Sequence, residues 1–304
     1  MKFRLPQLIL ALACVLSLSA ACARAQATGT QHASVAVLDL GETEAGRRVA
    51  DELSAALAKR PHFDLVNRAQ GRAAARGIGY AGSLNLTLAE ARDLGAAIGC
   101  DFYFTGEAQT LRRTSTTRPD YFESYASLFL VSTATGRLIL WEHFNAESDA
   151  PAEAEKSLLA ELRARATRYD EMMTKAQASE RSERLLAARE RDGAGAFEDV
   201  PEEGSPAAAH FRAPQPYRSL RPSYPATAAH AAVEATVDAL VEVDAGGEVK
   251  DIEIVRWAGY GLNEAVTATV RQLHFRPATR EGRAVPIRVL LRYNFRRPNE
   301  EGKG

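Results

Sequence analysis

The pattern that most constrains the fold of this chain lies close to its C-terminal end. Between positions 285 and 295, every odd-numbered residue is apolar and most even-numbered residues are polar. Strict alternation places one set of side chains on one face, so this segment predicts a strand with one buried face. Residues 237–243 alternate in the same way. Residues 244–247, Asp-Ala-Gly-Gly, are typical of a tight turn that returns the chain along residues 249–255.

A helix is predicted between these strands. Leu262, Val266, Val270 and Leu273 recur three or four positions apart, which places them on one helix face. The predicted order is therefore ββαβ, with one helix packed on a small antiparallel sheet. A small sheet leaves an edge strand, and its unpaired amides and carbonyls can accept an extended peptide by β-augmentation.

Short motifs in this region carry a resemblance to a known family. They are Ser-Tyr-Pro at 223–225, Val-Glu-Val-Asp at 241–244, Val-Arg-Gln-Leu-His-Phe-Arg-Pro-Ala at 270–278 and the closing strand at 282–295. In this order they resemble the C-terminal domain of TonB-type energy transducers, over residues 222–298. Ala235 stands where that family usually has glycine, and Trp257-Ala258 stands where it usually has a small polar pair.

The resemblance implies a module that binds partners in transmembrane transport and catalyses no reaction. In the family, the partner is a short N-terminal segment of a TonB-dependent receptor of the outer membrane; another envelope protein is the alternative. By resemblance, the binding residues are Tyr224 and Pro225 together with the closing strand, whose polar face carries Arg288, Arg292 and Arg296. The other interpretation is that these arginines only keep an edge strand soluble.

Residues 34–149 predict a larger α/β domain. Apolar runs of strand length alternate with segments of helical period in the order βαβααβββ, which implies a mixed sheet with helices packed on it. Thr87 and Glu90 have the spacing of a capping box. The runs at 35–39, 63–68 and 98–106 resemble the α/β domain of the TolB N-terminal, FlgO and CsgG-like envelope proteins. That resemblance implies a scaffolding domain without an active site.

A long helix and a linker join the two domains, so the predicted fold class is α+β. Residues 150–192 carry apolar residues near heptad spacing, which predicts one amphipathic helix. Its apolar stripe either packs on the first domain or pairs with a second copy in a homodimer. Residues 193–221 are rich in Gly, Pro and acidic residues and predict a linker, short for a transducer that crosses the periplasm. At 304 residues, the chain is long enough for two domains and two cores.

Residues 1–25 predict a signal peptide. A basic start is followed by an apolar run and a small-x-small cleavage site. We expect a periplasmic protein cut after Ala25; the alternatives are lipidation of Cys22 and an uncleaved anchor in the inner membrane. Only an uncleaved anchor would let the chain receive force from an ExbB and ExbD motor. Cleavage would leave Cys100 as the only cysteine, and its apolar neighbours predict a buried core residue.

Several other function classes are disfavoured. The formal net charge of −1 gives no general attraction to nucleic acid. The histidines lack the spacing of a metal site. The resemblance implies that His274, just after the predicted helix, packs, since the TonB family commonly has a bulky residue there. Residues 77–82 satisfy G-x-G-x-x-G but follow a predicted helix rather than a strand, which argues against a dinucleotide site. We therefore predict no enzyme activity and no catalytic, cofactor-binding or metal-binding residues.

Overall fold

The computed structural model describes residues 32–116, 118, 120–190, 197–202 and 204–297. The predicted signal peptide therefore lies outside the described residues. No helix within these ranges is both long enough and apolar enough to cross a membrane.

Five strands form the sheet of the first domain, in the order β2-β1-β3-β4-β5. They are β1 Ala33–Val37, β2 Phe63–Leu65, β3 Phe102–Arg113, β4 Tyr121–Ser132 and β5 Leu138–Ser148. β1 pairs in parallel with β2 and β3, whereas β3, β4 and β5 pair as antiparallel neighbours. Helical crossovers make the first three strands parallel, and short connections make the last three antiparallel. The mixed sheet predicted from the sequence is thus confirmed.

Three helices lie between the parallel strands: α1 Glu44–Leu57, α2 Arg68–Gly77 and α3 Leu88–Ile98. Thr43 caps α1 by accepting a hydrogen bond from the amide of Gly46. The predicted capping box of α3 is present. The hydroxyl of Thr87 accepts from the amide of Glu90, and the carboxylate of Glu90 accepts from the amide of Thr87.

The long helix α4, Pro151–Glu190, packs along the first domain. Leu158, Leu162, Tyr169 and Met173 are fully buried on its inner side, against α1 and the first sheet. The ring of Tyr169 meets the ring of Phe104 edge to face, with centroids 5.4 Å apart. Of the two interpretations of the apolar stripe, intramolecular packing is therefore the one that the structure shows.

The C-terminal domain has the predicted ββαβ order. Its main elements are a short helix α5 Ala226–His230, then β9 Ala235–Val243, β10 Val249–Arg256, α6 Leu262–Val270 and β14 Ile287–Phe295. β10, β9 and β14 form an antiparallel sheet with β9 in the middle. The carboxylate of Asp244 closes the β9–β10 turn by accepting hydrogen bonds from the amides of Gly246 and Glu248. The predicted α+β class is confirmed.

In the part of the linker that the structure describes, three two-residue strands lie along the C-terminal domain: β6 Glu198–Asp199, β7 Phe211–Arg212 and β8 Gln215–Pro216. Their partners are β14 for β6, β12 Ala278–Arg280 for β7 and β11 Phe275–Arg276 for β8, and β13 Arg283–Val285 completes a hairpin with β12. A polar linker cannot bury enough apolar surface to fold alone. Here its backbone instead pairs with strands of the domain that follows it.

Two hydrophobic cores lie on opposite faces of the first sheet. One contains Val35 and is enclosed by α1 and α4. The other contains Tyr103 and Phe129 and continues without interruption into the core of the C-terminal domain, around Val241. The cores therefore divide at the sheet rather than at the linker, because the C-terminal domain covers part of the sheet's second face. The described residues from Ala33 onwards form one compact unit.

Candidate partner-binding surface

The closing strand β14 is enclosed by β9 on one side and is only partly covered on the other. β9 pairs with its whole length, from Ile287 opposite Val243 to Phe295 opposite Ala235. On the other side, β6 pairs with Ile287 and Arg288 alone. Among the described residues, the outer backbone of β14 beyond Arg288 has no strand partner. This stretch is the exposed edge of the strand.

Two of the predicted binding arginines lie on the outer face of this sheet and pair with acidic residues of β9. Nε of Arg288 donates to Oε1 of Glu242 at 2.9 Å. Arg292 donates to both carboxylate oxygens of Asp238, at 2.7 and 2.9 Å. Donation by Arg292 lowers the pKa of the buried Asp238 carboxyl, although burial opposes this effect. Both arginines therefore already have carboxylate partners.

Tyr224 and Pro225 lie on the other side of the sheet. The ring of Tyr224 is 6.2 Å from the ring of Phe295, which belongs to the buried face of β14. The hydroxyl of Tyr224 donates to the carbonyl of Val233 at 2.5 Å. Pro225 is the residue that precedes α5. Tyr224 thus ties the segment before α5 to the rest of the domain, while the carbonyl of Pro225 accepts a hydrogen bond from the amide of Ala229 in α5 at 2.9 Å.

Arg296 is exposed and follows the last residue of β14. The structure therefore does not bring the five predicted site residues into one patch. Arg288 and Arg292 share the outer face, Arg296 lies beyond the strand end, and Tyr224-Pro225 are separated from them by the sheet. Their role in binding a partner stays a prediction.

A second surface, which the sequence reasoning missed, joins the two domains. It is built on the docking loop, residues 257–261, between β10 and α6. Trp257 is 1% exposed, and its ring centroid lies 5.8 Å from that of Phe129 in β4. Its indole Nε1 donates to the carbonyl of Gly136 at 3.0 Å. An aromatic contact and a hydrogen bond thus anchor this side chain to the first domain.

Tyr260 continues the same contact. Its hydroxyl donates to Oε1 of Glu107 at 2.7 Å, and its ring lies 5.1 Å from Trp141 and 5.8 Å from Phe129. Burial raises the pKa of Tyr260 above its ordinary value. Gly259 has φ +63°, and a Cβ added there would lie 2.6 Å from atoms of both Phe129 and Trp141. Glycine therefore permits this close approach.

Polar contacts complete the domain interface. The side-chain amide of Asn85 donates to the carbonyls of Thr236 and Trp257, at 2.7 and 2.8 Å, and accepts from the amide of Thr236 at 3.1 Å. Arg137 pairs with Glu253 of β10 at 2.7 Å. Asn85 thus pairs both backbone polar groups of Thr236 and the carbonyl of Trp257 at the interface.

The remaining sequence predictions have different outcomes. Cys100 is buried as predicted, and burial raises its pKa to about 11. The glycine motif at 77–82 follows α2, as predicted, and so lacks the strand that a dinucleotide site needs. The predicted packing of His274 is wrong: it is exposed and lies 3.1 Å from Glu248, while the next residue, Phe275, fills the core. Within the described ranges, no group of three or more His, Cys, Asp or Glu residues could hold a metal ion.

Comparison with known families decides the nature of the C-terminal domain. Residues 221–296 match the family model of the Gram-negative bacterial TonB protein C-terminal. This part of the chain is a TonB-like domain. No curated protein matches the chain. The comparisons leave the resemblance of the first domain to TolB N-terminal, FlgO and CsgG-like proteins untested, and it stays a prediction.

Solved structures give weaker similarities. The TonB C-terminal domain of Pseudomonas aeruginosa is 20% identical, covers 34% of this chain and 100% of its own, and has a TM-score of 0.25. A hypothetical protein from Chlamydia trachomatis is 12% identical over 44% of this chain and 95% of its own, with a TM-score of 0.31. The PelC dodecamer from Paraburkholderia phytofirmans is 10% identical over 43% of this chain and 86% of its own chain, with a TM-score of 0.29.

Proposed function

We propose that this chain is a binding protein of the Gram-negative cell envelope whose TonB-like domain holds an extended segment of a partner. The match of residues 221–296 to the TonB C-terminal family is the observation that carries this proposal. The preferred partner is the N-terminal segment of a TonB-dependent receptor of the outer membrane. Exported by its predicted signal peptide, the chain would meet such a segment in the periplasm.

The exposed edge of β14 supports the mode of binding. Its backbone amides and carbonyls can hydrogen-bond to an added strand, which supplies affinity independently of sequence. Leu290 projects from the outer face between Arg288 and Arg292 and is 50% exposed. A partner strand along β14 would cover this leucine, and its side chains at alternate positions would meet the outer face.

The docking loop favours a second candidate function. It packs the TonB-like domain on the first domain, whereas a transducer domain that reaches the outer membrane is expected to sit on a long extended spacer. In a non-energised envelope scaffold, the docked domain would bind another envelope protein or peptidoglycan. Such a scaffold needs no force from an ExbB and ExbD motor.

The test titrates the mature chain against labelled synthetic peptides from the periplasmic N-terminal segments of the TonB-dependent receptors of the same organism. Leu290→Glu on β14 should weaken binding about tenfold, because it places a charge where the partner strand lies. Leu185→Glu on α4 changes a leucine that is 58% exposed and should leave binding unchanged. Equal affinities of the two variants would contradict binding at β14. Failure of every receptor peptide, together with sedimentation of the chain with peptidoglycan, would support the scaffold instead.

A further inference from the structure

The linker supplies a strand of its own to the candidate partner edge. β6 runs parallel to β14, with Glu198 opposite Ile287 and Asp199 opposite Arg288. The amide of Glu198 donates to the carbonyl of Pro286 at 3.3 Å. A strand in this position uses the backbone groups that an incoming peptide would need at this end of β14.

Arg280 holds the acidic side chain of this strand. Its Nε and Nη2 donate to Oε2 of Glu198 at 3.1 and 2.6 Å, and its Nη1 donates to the carbonyl of Ala207 at 3.2 Å. The guanidinium also lies 5.4 Å from the ring centroid of Phe211. Because Arg280 is held by several groups, it presents an oriented pair of donors to a carboxylate beside β14.

The rest of the linker is attached independently of β6. β7 pairs with Thr279 and Arg280, and β8 pairs with Phe275 and Arg276. These four residues lie between α6 and β14 and not on β14 itself. β6 can therefore leave β14 while β7 and β8 keep the linker on the domain.

β6 itself is short and poorly buried. Glu198 and Asp199 are both exposed, and Val200, which follows them, is 38% exposed. Two residues offer few hydrogen bonds and bury little apolar surface, so a longer strand along β14 can make more contacts. The advantage of β6 is its covalent tether, which keeps it near the edge at an effective concentration on the order of millimolar.

We propose that β6 is an internal ligand that closes the partner edge, and that the partner is an extended acidic segment whose carboxylate replaces that of Glu198 beside Arg280. This inference rests on the proposed function, in which partners bind along β14. Binding requires β6 to leave, so the apparent affinity for a partner is scaled by the fraction of molecules in which the edge is free. The linker thus regulates the TonB-like domain without altering the domain's own fold.

The test compares the mature chain with a variant that lacks the β6 strand, made by Glu198→Gly, Asp199→Ser and Val200→Gly. The probe is a fluorescein-labelled peptide with the sequence of residues 196–202, Ala-Phe-Glu-Asp-Val-Pro-Glu. Fluorescence anisotropy should show at least about tenfold tighter binding to the variant, because the internal competitor is gone. Adding Arg280→Ala to the β6 variant should weaken its binding of the probe about tenfold relative to the β6 variant alone.

A matched control changes exposed linker residues outside β6, with Ala209→Gly, Ala213→Gly and Ser219→Gly, and should bind the probe like the wild-type chain. Equal binding of the probe to the wild type and to the β6 variant would overturn the proposal. So would no binding to a β6 variant whose thermal midpoint matches that of the wild type. Receptor peptides separate the two proposals. If receptor peptides bind the wild type and the β6 variant with equal affinity and Leu290→Glu still weakens binding, only the internal closure is contradicted. If Leu290→Glu no longer weakens binding, binding at β14 is contradicted.

Discussion

Replacing Trp257 by alanine tests whether the two domains are held together by one continuous core. Its side chain is buried, with its ring 5.8 Å from Phe129 and its Nε1 3.0 Å from the carbonyl of Gly136. The substitution removes a large buried side chain at the docking loop and leaves that carbonyl without this donor. Because Phe129 belongs to the first domain, we expect both domains to lose stability together.

The expected loss in the free energy of unfolding is about 3–5 kcal/mol, the usual range for replacing a buried large aromatic residue by alanine. The hydrogen bond to Gly136 accounts for about 1 kcal/mol of this loss. In a compact unit of this size, each kcal/mol shifts Tm by about 2–4 °C, so Tm should fall by roughly 10 °C. The ring contact with Phe129 should contribute about 0.5–1.5 kcal/mol that is specific to the pair.

The assay is thermal and urea unfolding of the full chain, followed by circular dichroism, for Trp257→Ala, Phe129→Leu and the double variant. The double variant should be less destabilised than the sum of the single variants, by about the energy of the ring contact. Tyr217→Ala is the aromatic control, because Tyr217 is 66% exposed, and it should change stability by under about 1 kcal/mol. Strictly additive effects of Trp257 and Phe129, or a fall in Tm of under about 3 °C, would refute the shared core.

Two further predictions concern the same interface, which includes His143, because its ring lies 6.5 Å from that of Tyr260. Gly259→Ala should destabilise the chain by about 1–3 kcal/mol more than Gly282→Ala in urea titrations: both glycines have positive φ, but only at Gly259 would the added Cβ meet Phe129 and Trp141. Equal losses would show that the close packing there is unimportant. Nδ1 of His143 lies 2.9 Å from Oγ of Ser127. Burial lowers the pKa of His143, and nearby His230 lowers this pKa further, whereas Glu123 and Glu107 oppose the shift. As pH falls, the imidazole of His143 is therefore protonated in the unfolded chain before it is protonated in the folded chain. This favours unfolding, so the free energy of unfolding should decline below about pH 6.5. His143→Gln should flatten that decline in urea titrations between pH 7.5 and 5.5, and an unchanged slope would contradict the assignment.

The sequence predicts those parts of the fold that local patterns determine. Apolar runs of strand length predicted the strands of the first sheet, alternation predicted the main strands of the second sheet, and the spacing of Thr87 and Glu90 predicted the start of α3. The Asp-Ala-Gly-Gly turn forms as predicted because Asp244 accepts backbone amides within its own turn. These features depend on neighbours in sequence, so no knowledge of the remaining chain is needed.

The pairing of the linker could not be predicted in this way. Glu198 and Asp199 have no strand pattern of their own, and their pairing depends on the backbone of β14 and on Arg280, far along the chain. His274 illustrates the same limit on a smaller scale. Its neighbour Phe275 occupies the core position instead, a difference of one residue that the resemblance to the family does not resolve.

The departure at Trp257-Ala258 from the family pattern was the signal that could have indicated the docked arrangement. A small polar pair suits a loop that faces water, whereas a tryptophan in the same place needs a surface to cover it. The domain's own sheet and helix already enclose Val241 and Val266, so the cover comes from Phe129 of the first domain. The docking loop follows β10, and β9 separates β10 from β14. The contact with the first domain therefore lies at the β10 edge of the small sheet. The opposite edge, where β6 pairs with β14, stays available for a partner strand that would replace β6.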